Sequence, residues 1–268
     1  MNIRLIIACH KPCEVPADPM YLPVHVGSAG KETIPGFTRD DEGDSISEKN
    51  PVFCELTGLY WAWKNLDCDA LGLVHYRRYF TMKRRLPGKE AALSDVLSGQ
   101  EAEQLLEKYQ VIVPKKRHYY IETVWSHYCH TFDGSQFETA RQIIAERTPE
   151  YLPDFDRLMA GTTAWLFNMY IMRKELSDEY CEWMFSIVFE LERRTDTTGM
   201  NDFDLRFGGR VSERLFDTWL MHQMRTGRIP KQDVREIPYL YLGHVDWNRK
   251  ITGFLKAKFL HKKYDRSF

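Results

Sequence analysis

An apolar run that ends in a cluster of basic and aromatic residues constrains this chain more than any other part of its sequence. Residues 71–80 read LGLVHYRRYF, so a predicted strand passes directly into His75, Tyr76, Arg77 and Arg78. Strands of an open α/β sheet present ligand-binding residues where the strand ends. Each arginine offers a planar fork of N–H donors that suits phosphate oxygens. The segment predicts a diphosphate site, with a solvated surface pair of arginines as the alternative.

The balance of charges excludes a general attraction to polyanions. The chain has 268 residues, with 37 Lys and Arg against 38 Asp and Glu and a formal net charge of −1. Nucleic-acid binding is therefore not expected, and any preference for anions must be local. A hydrophobic content of 43% is enough for a substantial core.

Signals for targeting or membrane insertion are weak. The opening MNIRLIIACHK contains a short apolar run without a small-residue cleavage site behind it, which is typical of a buried first strand. No stretch approaches the roughly 18–20 apolar residues that cross a bilayer. The six cysteines form no CxxC pair and are expected to be free thiols. These patterns favour a cytoplasmic protein.

Apolar runs and helical spacing alternate along the chain in the order of an α/β fold. The predicted strands are 3–9, 22–26, 70–75, 110–114, 163–172 and 237–242, and the predicted helices are 51–64, 94–109, 135–147, 153–159, 179–194 and 211–225. A polar loop of about residues 27–50 separates the second strand from the first helix. A loop of that length is expected to serve a function.

Four motifs occur in an order that resembles a known bacterial family. They are GDSISEKNPVFCELTGLYWAWKN (43–65), GLVHYRRYF (72–80), VIVPKKR (111–117) and RVSERLFDTWL (210–220). Together they resemble DUF4422, a family first catalogued as a domain of unknown function, whose members are taken to be glycosyltransferases of capsular polysaccharide or exopolysaccharide biosynthesis. The resemblance implies a GT-A-like, Rossmann-like α/β fold. It also implies transfer of a sugar, with galactofuranose or galactose the associated sugars, from UDP to a growing glycan.

The same resemblance suggests how the chain is organised. We expect one GT-A-like domain over residues 1–248, with a nucleotide-sugar half of about 1–117 and an acceptor half of about 118–248. A basic amphipathic tail of residues 249–268 follows.

A glycosyltransferase of this type needs a cradle for uridine, a group that neutralises the leaving diphosphate and a carboxylate that deprotonates the acceptor hydroxyl. The end of the first strand is the predicted cradle, where Lys11 either approaches a phosphate or is a solvated loop lysine. The candidate nucleotide and diphosphate residues are Ala8, Cys9, His10, Lys11, His75, Tyr76, Arg77 and Arg78.

Many GT-A enzymes hold Mn²⁺ or Mg²⁺ with an Asp-x-Asp pair at a position where this chain has HYRR. Such cations take carboxylate oxygens, and neighbouring guanidiniums would repel them. We favour a site without a metal, in which the arginines replace the cation. The alternative is Mn²⁺ or Mg²⁺ held by His75 with a carboxylate such as Asp44.

The polar segment around the start of the first predicted helix is a candidate donor-sugar site or lid, because helix N-termini bind phosphates. Its candidates are Asp44, Ser47, Lys49, Asn50 and Glu55. A simple capping sequence with Ser47 or Asn50 as the cap is the alternative. Glu55 either binds sugar hydroxyls or forms a buried ion pair.

The resemblance implies Glu213 as the catalytic base, because inverting GT-A enzymes commonly place that carboxylate at the start of a helix after the acceptor-side loop. Glu213 lies in the first turn of the predicted helix 211–225, where the helix dipole favours an ionised carboxylate. A base at this position implies an inverting reaction, and a carboxylate that only stabilises its helix is the alternative. Asp202 and Asp204 of the NDFD segment are candidate acceptor residues. Asn168 is either a third acceptor contact or a satisfied buried amide.

Two further regions stay open at this point. One region contains His118, His127 and His130 among tyrosines and a tryptophan. It could form a zinc-binding pair of histidines or an aromatic platform for the acceptor. We favour an ordinary aromatic surface loop. The tail 249–268 has the pattern of an interfacial helix that would contact anionic lipid at the inner membrane and suit a lipid-linked oligosaccharide acceptor. A terminal helix packed on the domain is the alternative.

Two other functions compete with sugar transfer. One is a noncatalytic nucleotide-sugar or glycan-binding component of a polysaccharide assembly complex, for which Glu213 would be dispensable. The other is a metal-dependent sugar-phosphate hydrolase that uses His75, His127 and carboxylates. The family resemblance ranks the glycosyltransferase first, since fold and composition alone select no chemistry.

Overall fold

The computed structural model describes residues 1–83 and 90–243, so the tail predicted for 249–268 lies outside the described residues. The strands in chain order are β1 (Ile3–Cys9), β2 (Tyr21–His25), β3 (Thr38–Arg39), β4 (Ala70–His75), β5 (Arg78–Phe80), β6 (Val111–Pro114), β7 (Arg117–His118), β8 (Thr163–Ala164), β9 (Tyr170–Arg173), β10 (Val234–Ile237) and β11 (Tyr239–Tyr241). The helices are α1 (Asn50–Phe53), α2 (Leu56–Asn65), α3 (Gly99–Leu106), α4 (Val124–Thr131), α5 (Ser135–Arg147), α6 (Leu152–Ala160), α7 (Lys174–Arg194) and α8 (Phe207–Thr226).

A mostly parallel sheet forms the centre of the described protein. Its strand order is β10-β6-β9-β4-β1-β2-β3, and β9 runs antiparallel to both of its neighbours. The short strands β5 and β11 add an antiparallel ribbon at the end of β4. Because β1, β4 and β6 run in the same direction, their carboxyl ends lie at one edge of the sheet. We call this the carboxyl edge, and it is where the sequence places its candidate ligand residues.

The central strands are apolar without alternation because both of their faces are buried. Along β1, Ile6 and Ala8 enter one core, whereas Leu5 and Ile7 enter the core on the opposite face. The first core also contains the apolar faces of the long helices α7 and α8. The buried sheet therefore fixes the positions from which the loops of the carboxyl edge depart.

The first turn of α8 packs closely against α1. A Cβ atom on Gly208 would lie 2.8 Å from the carbonyl oxygen of Val52, and one on Gly209 would lie 3.0 Å from the Cβ of Cys54. Only glycine permits so short a distance between the two backbones. The contact brings a late segment of the chain against the predicted lid segment.

Several predicted elements are interrupted or extended in the structure. The predicted helix 51–64 is split into α1 and α2 at Cys54, whose backbone has φ 53° and ψ −126°. The predicted strand 163–172 is split into β8 and β9 by Phe167 and Asn168, which both have positive φ. The predicted helix 211–225 begins four residues earlier, at Phe207. Strained backbone of this kind persists where surrounding packing fixes it.

No helix of the described residues has the length and apolar character needed to cross a membrane.

Candidate functional site

A cavity of about 800 Å³ opens at the carboxyl edge, beyond the ends of β1 and β4. It collects most of the residues that the sequence proposed, although they come from distant parts of the chain. Those on its lining are Ala8, His10, Asn50, Glu55, His75, Tyr76, Arg77, Arg78, Asp202 and Glu213. The volume is in the range of pockets that bind nucleotide-sized ligands.

The tight connection between β4 and β5 presents Arg77 and Arg78 to the cavity. The guanidinium of Arg77 lies 5.2 Å from the ring of Tyr76, and its Nη1 donates a hydrogen bond to the Tyr241 hydroxyl at 3.4 Å. That hydrogen bond raises the pKa of Arg77. Arg78 lies over the rings of Phe167 and Tyr241, at 4.4 and 5.6 Å from their centroids. Aromatic neighbours thus orient both guanidiniums and leave their charge uncompensated.

Two further arginines on the lining were missed by the sequence analysis. Arg206 precedes α8, and its Nε donates a hydrogen bond to the Sγ of Cys54 at 3.4 Å. Arg210 lies in the first turn of α8, between the rings of Phe132 and Phe203 at 4.2 and 4.8 Å. The segment DLRFGGR contains both arginines, and this could have indicated an anion site. We considered only its aspartates and proposed Asp202 and Asp204 as acceptor residues.

The two missed arginines have different surroundings. Arg210 donates from Nε to the carbonyl of Arg206 at 3.2 Å, and from Nη2 to the carbonyls of Phe203 and Asp204. It therefore fixes the backbone that carries Arg206. The terminal nitrogens of Arg206 form no hydrogen bond with the residues that the structure describes. They are available to a ligand.

The cavity is electropositive. Among residues 1–83 and 90–243, no carboxylate forms an ion pair with any of the four lining arginines, Arg77, Arg78, Arg206 and Arg210. Burial lowers the pKa of His10 at the end of β1, and the charges of Lys11, Arg206, Lys31 and Arg77 lower it further. Converging, unpaired guanidiniums on a cavity wall are the arrangement that binds a multiply charged anion.

Glu213 lies on the cavity wall at 24% side-chain exposure. Because α8 begins at Phe207, Glu213 is in the second turn and not in the first turn as predicted. The dipole of the helix falls off within its first turn, so that part of the prediction was wrong. The positive charge beside the carboxylate comes instead from Arg214, whose Nη2 donates a hydrogen bond to Oε2 at 2.7 Å.

Asn168 lies behind the lining and is 2% exposed. Its Nδ2 contacts Oε1 of Glu55 and Oγ of Ser212, each at 2.9 Å, and the carbonyl of Gly209 at 3.2 Å. These bonds connect the start of β9 with α8 and hold the Glu55 carboxylate at the cavity. The side chain that we placed with the acceptor therefore supports a second carboxylate of the lining.

Besides Asn168, six of the proposed residues lie off the lining of this cavity. Lys11 lies on a neighbouring cavity of about 570 Å³, beside Tyr76 and Arg77. The other five have partners elsewhere: the Cys9 thiol with the Cys13 thiol, Asp44 with the Tyr60 hydroxyl, Ser47 with the Asp40 carboxylate, Lys49 with Glu192, and Asp204 with Asn201.

The alternative for the polar segment before the first helix, a capping role for Ser47 or Asn50, is not what the structure shows. Neither Ser47 nor Asn50 caps a helix through its side chain. Ser47 is one of several donors to the buried Asp40 carboxylate, which also accepts bonds from Ser28 and the Gly27 amide. Asn50 donates to the Cys54 carbonyl at 2.7 Å. The segment is held together by an internal carboxylate.

Three of the candidate histidines have defined hydrogen-bond partners. The Nε2 of His75 donates to the carbonyl of Phe167 at 2.5 Å. His127 and His130 both direct Nδ1 to the carboxylate of Glu122, at 3.0 and 2.8 Å. Within the described ranges, no group of three or more His, Cys, Asp or Glu side chains is arranged to hold a metal ion.

Comparison with known proteins places this geometry in a family. A family model described as a domain of unknown function, DUF4422, matches residues 4–224. No curated protein matches the chain. Among solved structures, the chain is similar to the apo structure of the bifunctional glycosyltransferase WbbM, with a TM-score of 0.81 and 25% identity over 91% of this chain and 46% of the WbbM chain. This chain thus spans about half the length of that relative.

The likeness agrees with the fold that the sequence led us to expect. A mixed α/β architecture with a central, mostly parallel sheet is confirmed, and its similarity to WbbM is consistent with a GT-A-like fold. Because the family model matches most of its length, this chain belongs to the DUF4422 family.

Proposed function

We propose that this protein is a glycosyltransferase that moves a sugar from a UDP-sugar to a hydroxyl group of a growing capsular polysaccharide, exopolysaccharide or O-antigen glycan, with inversion at the anomeric carbon. One observation carries the proposal: the carboxylate of Glu213 and four guanidiniums that pair with no carboxylate of the described residues line one cavity at the carboxyl edge. The likeness to the bifunctional glycosyltransferase WbbM supports it.

The arginines suit the departure of the nucleoside diphosphate. When the bond between the anomeric carbon and the diphosphate oxygen breaks, negative charge builds up on that oxygen. The cavity lining includes Arg77, Arg78 and Arg206. Hydrogen bonds from their N–H groups to the diphosphate oxygens would become stronger as this charge develops. Interactions that are stronger in the transition state than in the ground state are those that accelerate the reaction.

Glu213 suits the activation of the acceptor. Its carboxylate would take the proton of the acceptor hydroxyl while the oxygen attacks the anomeric carbon on the face opposite the departing diphosphate. The hydrogen bond from Arg214, at 2.7 Å, fixes the direction of the carboxylate. Glu55, whose Oε1 accepts a hydrogen bond from Asn168 at 2.9 Å, lines the same cavity and would accept hydrogen bonds from sugar hydroxyls.

The lining favours arginines over a divalent cation as the group that neutralises the diphosphate. Mn²⁺ and Mg²⁺ take carboxylate oxygens, and among the described residues no group of three or more His, Cys, Asp or Glu side chains is arranged to hold a metal ion. The guanidiniums that surround the same space would repel a cation. We therefore assign neutralisation of the diphosphate to the arginines.

A calorimetric titration with UDP tests the binding part of this proposal. We expect micromolar binding that persists with EDTA and is lost in Arg77→Ala. Arg157→Ala removes an exposed arginine from α6 and should bind UDP as the parent does. Absence of UDP binding to the parent protein, with or without Mn²⁺, would contradict the proposal.

A donor screen with UDP-galactose and UDP-galactofuranose tests the catalytic part. Glu213→Gln should retain UDP binding and lose at least about a hundredfold in transfer rate, as expected for removal of a general base. If Glu213→Gln transferred sugar at the parental rate, Glu213 would not be the base. Binding of UDP-sugar without any transfer would favour the noncatalytic component.

A further inference from the structure

The most exposed large apolar side chains of the described protein are adjacent. Tyr120 is 84% exposed and Ile121 is 76% exposed, whereas the other large apolar side chains with notable exposure, Met1, Met82 and Tyr239, lie between 38% and 42%. Tyr120 also has a φ of 57°, in the left-handed region that a tyrosine rarely adopts. A strained tyrosine beside an exposed isoleucine requires a physical reason.

The two side chains stand on a fixed base. The tip loop, residues 115–121, leaves β6 and includes β7, which pairs with β8. The amide of Tyr119 donates to the carbonyl of Thr162 at 2.8 Å, and that of Val124 donates to the carbonyl of Gly161 at 2.8 Å. Because the loop backbone is already held in this way, contact with a partner would cost little conformational entropy.

Positive charge surrounds the tip. Lys115 and Arg117 are exposed, and residues 115–121 contain no carboxylate. The next carboxylate, Glu122, is 6% exposed and accepts hydrogen bonds from His127 and His130. An exposed aromatic and aliphatic pair flanked by cations is the pattern of a protein surface that enters the interface of an anionic membrane.

The tip loop and the cavity lie at the same edge of the sheet. β6 runs in the direction of β4, so the loop after Pro114 departs from the carboxyl edge. Burial raises the pKa of Tyr119, at the base of the loop, and the charges of Arg214 and Glu213 also act on that pKa. The loop therefore departs from the sheet edge at which the cavity opens.

We propose that the tip loop is a contact with an anionic lipid bilayer. Tyr120 and Ile121 enter the interfacial layer, and Lys115 and Arg117 face the anionic headgroups. The carboxyl edge of the sheet then faces the membrane. One consequence rests on the proposed function: an acceptor carried by a lipid would reach Glu213 without leaving the bilayer surface.

Vesicle sedimentation of the full chain tests the contact. With vesicles of phosphatidylglycerol and phosphatidylcholine in equal parts, the double change Tyr120→Ser and Ile121→Ser should lower the partition coefficient about tenfold. The change Lys115→Ser and Arg117→Ser should lower it by a similar factor, because each cation near an anionic surface contributes to binding. Vesicles of phosphatidylcholine alone should bind the parent protein weakly.

A matched charge control is available at the opposite edge of the sheet. Lys108 and Lys231 are exposed and precede β6 and β10, so Lys108→Ser with Lys231→Ser removes the same charge at the amino ends of two strands. This variant should bind vesicles within about twofold of the parent. All substituted side chains are exposed, and thermal unfolding of each variant checks the fold.

Two outcomes would overturn the proposal: failure of the parent chain to bind anionic vesicles, or parental binding by the Tyr120 and Ile121 variant. If that variant bound vesicles normally and lost turnover of a soluble glycan, the tip loop would be an acceptor platform instead. A UDP titration of the same samples keeps the two proposals separate. Absence of UDP binding would contradict the proposed sugar transfer, whereas the vesicle result tests only the membrane contact.

Discussion

At the scale of single residues, the arginines of the cavity divide into those that we propose bind the diphosphate and one, Arg210, that positions the backbone. Arg210 donates its hydrogen bonds to backbone carbonyls, whereas the terminal nitrogens of Arg206 form no hydrogen bond within residues 1–83 and 90–243. The two therefore differ in what their removal should do. Loss of Arg206 should affect a bound phosphate directly, and loss of Arg210 should loosen the segment that carries Arg206.

The first prediction concerns Arg206. Arg206→Ala should weaken UDP binding by about 10- to 100-fold, because a charge-assisted hydrogen bond contributes roughly 1.5–3 kcal/mol. Binding of uridine, which lacks phosphate, should stay unchanged. Calorimetry with both ligands measures the difference, and Arg157→Ala is the control. An equal loss for uridine and UDP would show that Arg206 acts on the fold and not on the phosphates.

The second prediction concerns Cys54, which joins α1 to α2 on the cavity wall. Burial raises the pKa of its thiol to about 11, so little reactive thiolate exists at neutral pH. Alkylation of Cys54 by iodoacetamide should be slow at pH 7 and rise about tenfold per pH unit up to about pH 10. Mass spectrometry of the Cys54 peptide measures the rate, with the denatured chain as the reference. A rate that levels off near pH 8 would contradict this assignment.

At the scale of elements, the contact of α8 with α1 positions the cavity. A glycine in a helix interior normally costs up to about 1 kcal/mol relative to alanine. At Gly208 the sign should reverse, because the added Cβ would lie 2.8 Å from the carbonyl oxygen of Val52. The two helices would have to separate.

The third prediction follows from that contact. Gly208→Ala should lower the free energy of unfolding by about 1–3 kcal/mol, the usual range for overpacking, and should weaken UDP binding. Gly209→Ala should have the smaller effect, because its Cβ would meet side-chain atoms of Cys54 at 3.0–3.2 Å and no carbonyl within 3.4 Å. Urea unfolding and UDP titration measure both effects. Stabilisation by Gly208→Ala would exclude the close contact.

The elements differ in how far their sequences reveal them. β1 and β4 were predicted to the residue, since an apolar run bounded by polar residues has a clear signature. The breaks at Cys54 and at Phe167 were not predicted, because both lie within apolar segments of regular spacing. Positive φ at these residues is imposed by tertiary packing, which leaves no mark on local periodicity.

The residues of the candidate site also divide into those with a local sequence signature and those brought to the cavity by tertiary packing. The HYRR cluster could be proposed because it follows an apolar strand whose end is recognisable in the sequence. Glu213 was proposed from a helix start that lies four residues earlier in the structure. Arg206 and Arg210 reach the same cavity only through the packing of α8 on α1. Ser47 and Lys49 lay in an equally polar motif, yet their partners, Asp40 and Glu192, hold them away from the cavity.

At the scale of the whole molecule, the fourth prediction links binding to stability. A ligand that binds only the folded state at 100 times its dissociation constant adds about 2.7 kcal/mol. For a chain of this size, that corresponds to a rise of roughly 5–10 °C in the unfolding midpoint. Scanning calorimetry with and without UDP measures the rise.

The same measurement on variants identifies the source of the stabilisation. Arg77→Ala and Arg206→Ala should show a much smaller rise at the same UDP concentration, and Arg157→Ala should show the full rise. An equal rise in all four proteins would place the UDP site away from this cavity.

The order of strands in the sheet has a consequence for how the chain can fold during synthesis. β6 lies between β9 and β10, and both of these neighbours are encoded much later in the chain. A nascent polypeptide that ends after β6 therefore has an apolar strand with two unsatisfied hydrogen-bonding edges. Contacts between distant parts of a chain form slowly, because a long loop must close first. β6 can therefore complete its pairing only after β9 and β10 have been synthesised, and a fragment that ends between β6 and β9 would expose an aggregation-prone strand.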